Sequence, residues 1–231
     1  MVHITDKSES DPVAAMGLVD AYMRWAMEAV KHVIGDAGLE YVLRQAGLER
    51  LIDNPPSGEM IVADITFADY ASFNAALINH LQHPGKNMVK RIGRESAQMA
   101  ITFQRALFNM ATVAAAKLLP DSVQIKMGLT AIMAGYRTLN KQKTGREFEG
   151  EIEDRGDKFA FVVTTCPLCA GKQSDSCIGW LFEAAIEEAA RQSFGKFFDT
   201  IEVECRAKGD PAGVWLVSKQ ATDESYNESA R

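Results

Sequence analysis

Residues 146–165 read REFEGEIEDRGDKFAFVVTT, and this is where the chain changes period. REFEGEIED and KFAFVVTT are alternating or β-rich runs, and the RGD between them has the composition of a turn, so the stretch predicts a β-hairpin. Downstream, residues 176–195, SCIGWLFEAAIEEAARQSFG, return to helical spacing. Ile178, Leu181, Phe182, Ala185, Ile186 and Ala189 form the apolar face of that helix; Glu183, Glu187, Glu188 and Arg191 form its wet face; Gly195 is a natural C-cap. DTIEVECRA and GVWLVSK then make a second hairpin across KGDPA. The order β-β-α-β-β predicts a four-stranded antiparallel sheet.

Upstream everything reads as helix. VAAMGLVDAYMRWAMEAVKHVIG carries apolar residues at helical intervals and stops at Gly35. Shorter helices follow in GLEYVLRQAG and LERLID, ended by DNPPSG. TFADYASFNAALINHLQ starts at a Thr66 cap with Asp69 at the third helical position. A long helical tract covers 88–119, with Met99, Phe103, Leu107, Met110 and Ala114 on one stripe, and another covers 122–141. Helices packed on an antiparallel sheet make the fold class α+β. The expected organisation is a loose tail over 1–12, a helical part over 13–145, a β-β-α-β-β part of the same domain over 146–219, and a second loose tail over 220–231.

The 231 residues are 47% apolar and 24% charged, the balance of an ordinary globular domain. A net charge of −6 argues against a general nucleic-acid binder, which needs a basic field. The longest apolar run, MATVAAAKLL, is far short of the roughly 20 residues of a membrane span. The N-terminus lacks the charged-then-apolar pattern of a signal peptide, so a cytoplasmic location is expected.

Three of the four cysteines lie in TTCPLCAGKQSDSC, residues 164–177. Cys166 and Cys169 form C-x-x-C, Cys177 follows after seven intervening residues, and Cys205 lies in the predicted third strand. Zinc takes four ligands in a tetrahedron, and C-x-x-C offers two from one turn. TTCPLC also looks like a glutaredoxin motif, but the next helix begins only near Cys177 and no Thr-Val-Pro follows. The third reading is reduced structural thiols closing a strand-to-loop turn.

CPLCAGKQSD and IEVECRAKGDPA, joined by a glycine-terminated helix, resemble the 4-vinyl reductase domain family, also described as hydrocarbon-binding proteins. AGLERLIDNPP, FADYASFNAAL, RIGRESAQMA and IKMGLTAIM extend the likeness to residues 15–219. The resemblance implies an α+β fold shared with vesicle-tethering complex subunits and, distantly, with haem-based nitric-oxide sensors. It also implies a ligand pocket between helices and sheet, and a homodimer. It further implies a zinc site, for which Glu202 and Cys205 match directly while the other two ligand positions fall on Gly179 and Gly213. Completing a metal set then requires Cys177, Cys166 or Cys169. In a flat strand Glu202 and Cys205 point to opposite faces, so their meeting needs a bulge or twist.

No strand–G-x-G-x-x-G–helix unit for a nicotinamide is present. His80 and His83 sit before Pro84, where histidines commonly meet the last helical carbonyls, and no triad can be assembled around them, so no catalytic residue is assigned. Met99, Phe103, Met110 and Trp180 are the candidates for lining an adaptable apolar pocket, the alternative being ordinary core. Lys86, Lys90, Arg91 and Arg94 either meet an anionic ligand group or form a solvated face. The function expected is a small-molecule-binding sensor, carrier or accessory protein for an apolar or tetrapyrrole-like ligand. The alternatives are a thiol- or zinc-dependent enzyme or accessory protein of (bacterio)chlorophyll-type pigment metabolism and a ligand-free dimeric scaffold subunit.

Overall fold

The structure, a computed structural model, describes residues 2–7, 11–81, 85–104, 116–146 and 148–222. Among these, α1 spans Asp20–Gln45, α2 Arg50–Asp53, α3 Phe67–His80, α4 Gly85–Gln104 and α5 Asp121–Thr144. The C-terminal part holds the strands β2 (Gly150–Arg155) and β3 (Lys158–Val163), the helix α6 (Trp180–Phe194), and the strands β5 (Thr200–Glu204) and β6 (Gly213–Ser218). A short strand β1 (Ile4–Asp6) pairs antiparallel with β4 (Lys172–Ser174). The fold is α+β.

The main sheet has the order β2-β3-β6-β5, all pairs antiparallel. Phe161 faces Trp215 and Phe159 faces Val217 across the central pair, so alternation puts these bulky residues on one face and Ala160, Val162, Val214 and Leu216 on the other. The bulky face joins the main core with residues of α1, α3, α5 and α6. The opposite face carries a small cluster of its own around Ala160, Ala212 and Val214.

Local signals account for most boundaries. Gly35, at φ 80°, interrupts α1, after which the chain resumes as helix to Gln45. Thr66 and Asp69 form a reciprocal capping box: the Thr66 hydroxyl accepts from Asp69 N–H at 3.1 Å, and Asp69 accepts from Thr66 N–H at 2.9 Å. The β2–β3 turn uses Gly156 at φ 74°.

In the N-terminal stretch β1 pairs with β4, and partly buried Asp11 accepts from Arg206 at 2.9 Å and from Gly171 N–H at 3.1 Å. One expectation changes: the acids of α6 are not its wet face. Glu183, Glu187 and Glu188 are each 1% exposed. α4 lies along this helix, so that Lys86 and Lys90 reach Glu183 at 3.0 and 3.6 Å, and Lys90 reaches Glu187 at 2.6 Å. Arg94 stands 3.8 Å from Glu187. Lys86, Lys90 and Arg94 are thus partners of α6, whereas exposed Arg91 pairs with Glu95 on its own helix. The two backbones meet at Gly93, where a Cβ would come within 2.5 Å of the Leu181 carbonyl oxygen.

Candidate functional site

Between α1, α4, α5, α6 and the bulky sheet face lies a cavity of about 620 Å³. Its space comes from small residues: Gly93, Ala97 and Ala100 follow one another on α4, and Ala185 and Ala189 face them on α6. Aromatic rings build the rest of the wall in edge-to-face or tilted contacts. Trp25 meets Tyr22 at 5.7 Å, Tyr22 meets Tyr136 at 6.0 Å, Tyr136 meets Phe182 at 6.0 Å, and Phe182 meets Trp215 at 4.9 Å. This series of rings runs from α1 across α5 and α6 to the sheet.

The lining contains no Asp, Glu, Lys, Arg or His among the described residues. Its polar groups are few. Thr138 and Gln142 are exposed, at the rim, and the Asn140 amide donates to the Arg146 carbonyl at 2.9 Å. The other polar groups of the lining are the hydroxyls of Ser96, Tyr22, Tyr70 and Tyr136 and the thiol of Cys166. Burial raises the hydroxyl pKa of Tyr70 and of Tyr136, and each is raised further by its tyrosine neighbours, Tyr22 acting on both. These phenols are neutral hydrogen-bond donors at any physiological pH.

Behind the cavity wall the other candidate residues gather at the start of α6. Asn74, fully buried on α3, donates to the carbonyls of Leu168 and Ile178 at 3.0 and 2.9 Å, fastening the C-x-x-C loop to the helix. The β5–β6 register shifts between Glu202 and Glu204, and Cys205 starts a 3-10 turn rather than continuing the strand. That irregularity brings Glu202 against Cys205, as their joint approach requires. The Cys169 thiol in turn contacts those of Cys166 and Cys205. Cys177 is half-buried, within electrostatic reach of Glu202 and Cys205. All four cysteines are unbridged.

These five residues form a chain of contacts rather than a converging set. Among the described residues no three His, Cys, Asp or Glu side chains come together as a metal-holding group. One oxygen of the Glu202 carboxyl is engaged: Oε2 accepts from Gly179 N–H at 2.6 Å, while Oε1 is buried without a hydrogen-bond partner, and the Glu202 backbone N–H donates to Glu183 at 2.9 Å. Burial, with the Cys205 thiol beside it, pushes its pKa up to about 9, although the Gly179 N–H works the other way. Burial and Glu202 push Cys177 up to about 12. The Cys166 thiol and burial raise Cys169, with Cys205 working the other way, and Cys169 and burial raise Cys205. Lys208 works the other way at Cys177, but burial and Glu202 outweigh it, so this thiol is unlike the low-pKa thiolate of a redox or nucleophilic cysteine.

The pocket candidates fall at different distances from the cavity. Met99 packs beside Trp25 behind the wall. Phe103 is 73% exposed and stacks on Trp25 at 5.7 Å. Trp180 lies partly buried at the first turn of α6 with the Lys86 ammonium 5.8 Å from its ring. Met110 lies outside the described residues, as does His83. The lining tyrosines, Trp25 and Trp215 were missed by a search for methionine and aromatic stripes. The usable signal was the spacing of small residues, Gly93, Ala97 and Ala100, on a helix otherwise rich in long side chains.

Neither a family model nor a curated protein matches the chain. Solved structures do match in fold. An oxygen-binding H-NOX domain related to soluble guanylate cyclases is 11% identical, with 89% of this chain and 96% of that chain covered and a TM-score of 0.54. A single-residue mutant of T. tengcongensis H-NOX is 12% identical over 89% of this chain and all of its own, at 0.56. An H-NOX protein described as probing the function of heme distortion in that family is 12% identical over 89% and 97%, at 0.55. At such identities the likeness is one of fold. It corrects the resemblance drawn from the sequence: the chain is similar in fold to H-NOX domains, and its short matching fragments do not place it in the 4-vinyl reductase domain family. No helix among the described residues is long and apolar enough to cross a membrane.

Proposed function

We propose that this domain binds one small, predominantly apolar molecule in the cavity between its helices and its sheet, as a sensor, carrier or accessory protein. The observation that carries this reading is the cavity itself: about 620 Å³ walled by aromatic rings and small side chains, within the size range of ligand sites. A packed core leaves few voids larger than a water molecule.

The H-NOX relatives raise haem as the occupant. Haem iron is held by a histidine, a cysteine thiolate, a methionine or a tyrosine, and its propionates are anionic. Among the described residues no His, Met, Lys or Arg lines the cavity. His3 and His32 are exposed, and His80 stacks on Tyr41 away from it. The one thiol in the lining, Cys166, is engaged with that of Cys169. Burial raises the hydroxyl pKa of Tyr70 and of Tyr136, which disfavours the phenolate that iron ligation needs. These residues do not fit haem, and the reading rests on a metal-free apolar ligand.

Nile red, which fluoresces on entering apolar surroundings, tests the proposal. One molecule per chain should bind the native protein, and Ala185→Phe, which places a ring in the cavity, should abolish binding while the protein stays folded by circular dichroism. Binding unaffected by that substitution, or no binding at all, overturns the assignment.

A further inference from the structure

The cavity wall is mostly apolar; besides Ser96, the rim residues Thr138, Asn140 and Gln142, and the Cys166 thiol, its polar groups are phenols. Tyr70 comes from α3, Tyr136 from α5 and Tyr22 from α1, so three separate elements bring phenols into one cavity. The three hydroxyls lie within electrostatic reach of one another. No hydrogen bond among the described residues occupies the hydroxyl of Tyr70 or of Tyr136. A buried donor without a partner is costly, and native proteins leave few of them. Two partly buried donors facing a cavity whose lining, among the described residues, holds no charged group call for an acceptor on the ligand.

The charge balance narrows the ligand further. A carboxylate, phosphate or ammonium would find no counter-ion among the described lining residues, and its desolvation cost is one that neutral donors do not offset. We infer that Tyr70 and Tyr136 form a donor pair that selects an uncharged, largely apolar ligand bearing a hydrogen-bond-accepting oxygen, a ketone or quinone rather than a plain hydrocarbon or an organic anion. This rests on the cavity being the ligand site. Tyr22, on the same wall, holds the pair in place through its ring contact with Tyr136 at 6.0 Å.

Fluorene, fluorenone and fluorene carboxylate share a ring system and differ only in the group in question. Their dissociation constants follow from displacement of Nile red, whose own constant is measured for each variant. Fluorenone should bind the native protein about tenfold more tightly than fluorene, as one or two hydrogen bonds allow. The carboxylate should bind more weakly than either. In the Tyr70→Phe/Tyr136→Phe double variant, fluorenone should fall to within about twofold of fluorene, whose affinity stays unchanged. The carbonyl stretch of bound fluorenone should lie at lower frequency in the native protein than in the variant. Equal binding of fluorene and fluorenone to the native protein, or preference for the carboxylate, overturns the donor pair and leaves the apolar cavity standing. Failure of both neutral compounds to displace Nile red overturns the cavity reading along with it.

Discussion

The indole nitrogen of Trp215 donates to the carbonyl of Gly179 across 3.3 Å, at the junction of β6 and the start of α6. The ring fits there because two residues lack side chains. A Cβ on Gly179 would come 2.6 Å from Trp215, and one on Gly213 would come 2.8 Å from it. These are the two positions at which the sequence resemblance called for metal-ligating cysteines. A tryptophan fills the corner instead, and its outer edge forms part of the cavity wall. Glycine is needed at both positions because of the indole, irrespective of backbone angle.

Gly213→Ala should therefore destabilise the protein by about 1–3 kcal/mol, the usual cost of forcing a methyl into a filled site. Urea unfolding of Gly213→Ala, Trp215→Phe and the double variant checks the cause. The smaller ring should relieve much of the alanine's effect, giving a non-additive cycle. Strict additivity would mean that the strain lies elsewhere.

Much of this fold is legible in local sequence and much of the site is not. The Thr66–Asp69 capping box, the break at Gly35 and both hairpins depend on neighbours a few residues away, so pattern and turn chemistry reveal them. The burial of Glu183 and Glu187 depends on Lys86, Lys90 and Arg94 of another helix, and a helix read alone assigns any row of acids to solvent. Strand β1 is three residues, too short for any periodicity to register. The cavity was illegible for a related reason. Met99 and Phe103 lie on a helical stripe, but Gly93 and the ion pairs fix which face of α4 meets α6. That face carries glycine and alanine.

Lys90→Met should cost about 3–5 kcal/mol, because it strips the closest cation from the 1%-exposed Glu187 and weakens the support of Glu183. Burial already raises the Glu187 carboxyl above its ordinary pKa with Lys90 and Arg94 pulling it down. Adding Glu187→Gln to the Lys90→Met variant should recover a substantial part of the loss. Equilibrium denaturation at neutral pH measures both, and a double variant no better than Lys90→Met contradicts the pairing.

The thiols should be sluggish nucleophiles. Cys177 is the most exposed of the four, yet burial and Glu202 push its pKa up to about 12. Iodoacetamide at pH 8 should modify Cys177 in the folded protein at least about a hundredfold more slowly than in urea, since only the thiolate attacks. Mass spectrometry of timed samples gives the rate at each cysteine. Rapid alkylation of the folded protein at Cys177 would restore a thiol chemistry to this corner.

Glu202 supplies a prediction in pH. Its folded pKa of about 9 lies well above the ordinary carboxylate value, so between the two the folded chain holds a proton that the unfolded chain has released. Whatever stability the protonated carboxyl contributes is complete below the unfolded pKa and is lost as pH rises towards 9. At its steepest the loss is about 1.4 kcal/mol per pH unit. Glutamine reproduces the protonated group, with an oxygen still able to accept from Gly179 N–H, and does not titrate. Glu202→Gln should thus match the native protein near pH 4.5 and grow steadily more stable than it from pH 5 to pH 8. The comparison removes the opposite trends of Asp11 and Asp121, whose depressed pKa values act below that window in both proteins. Urea unfolding at four or five pH values measures the difference, and a gap that stays constant across the series would show that Glu202 is ionised in the fold.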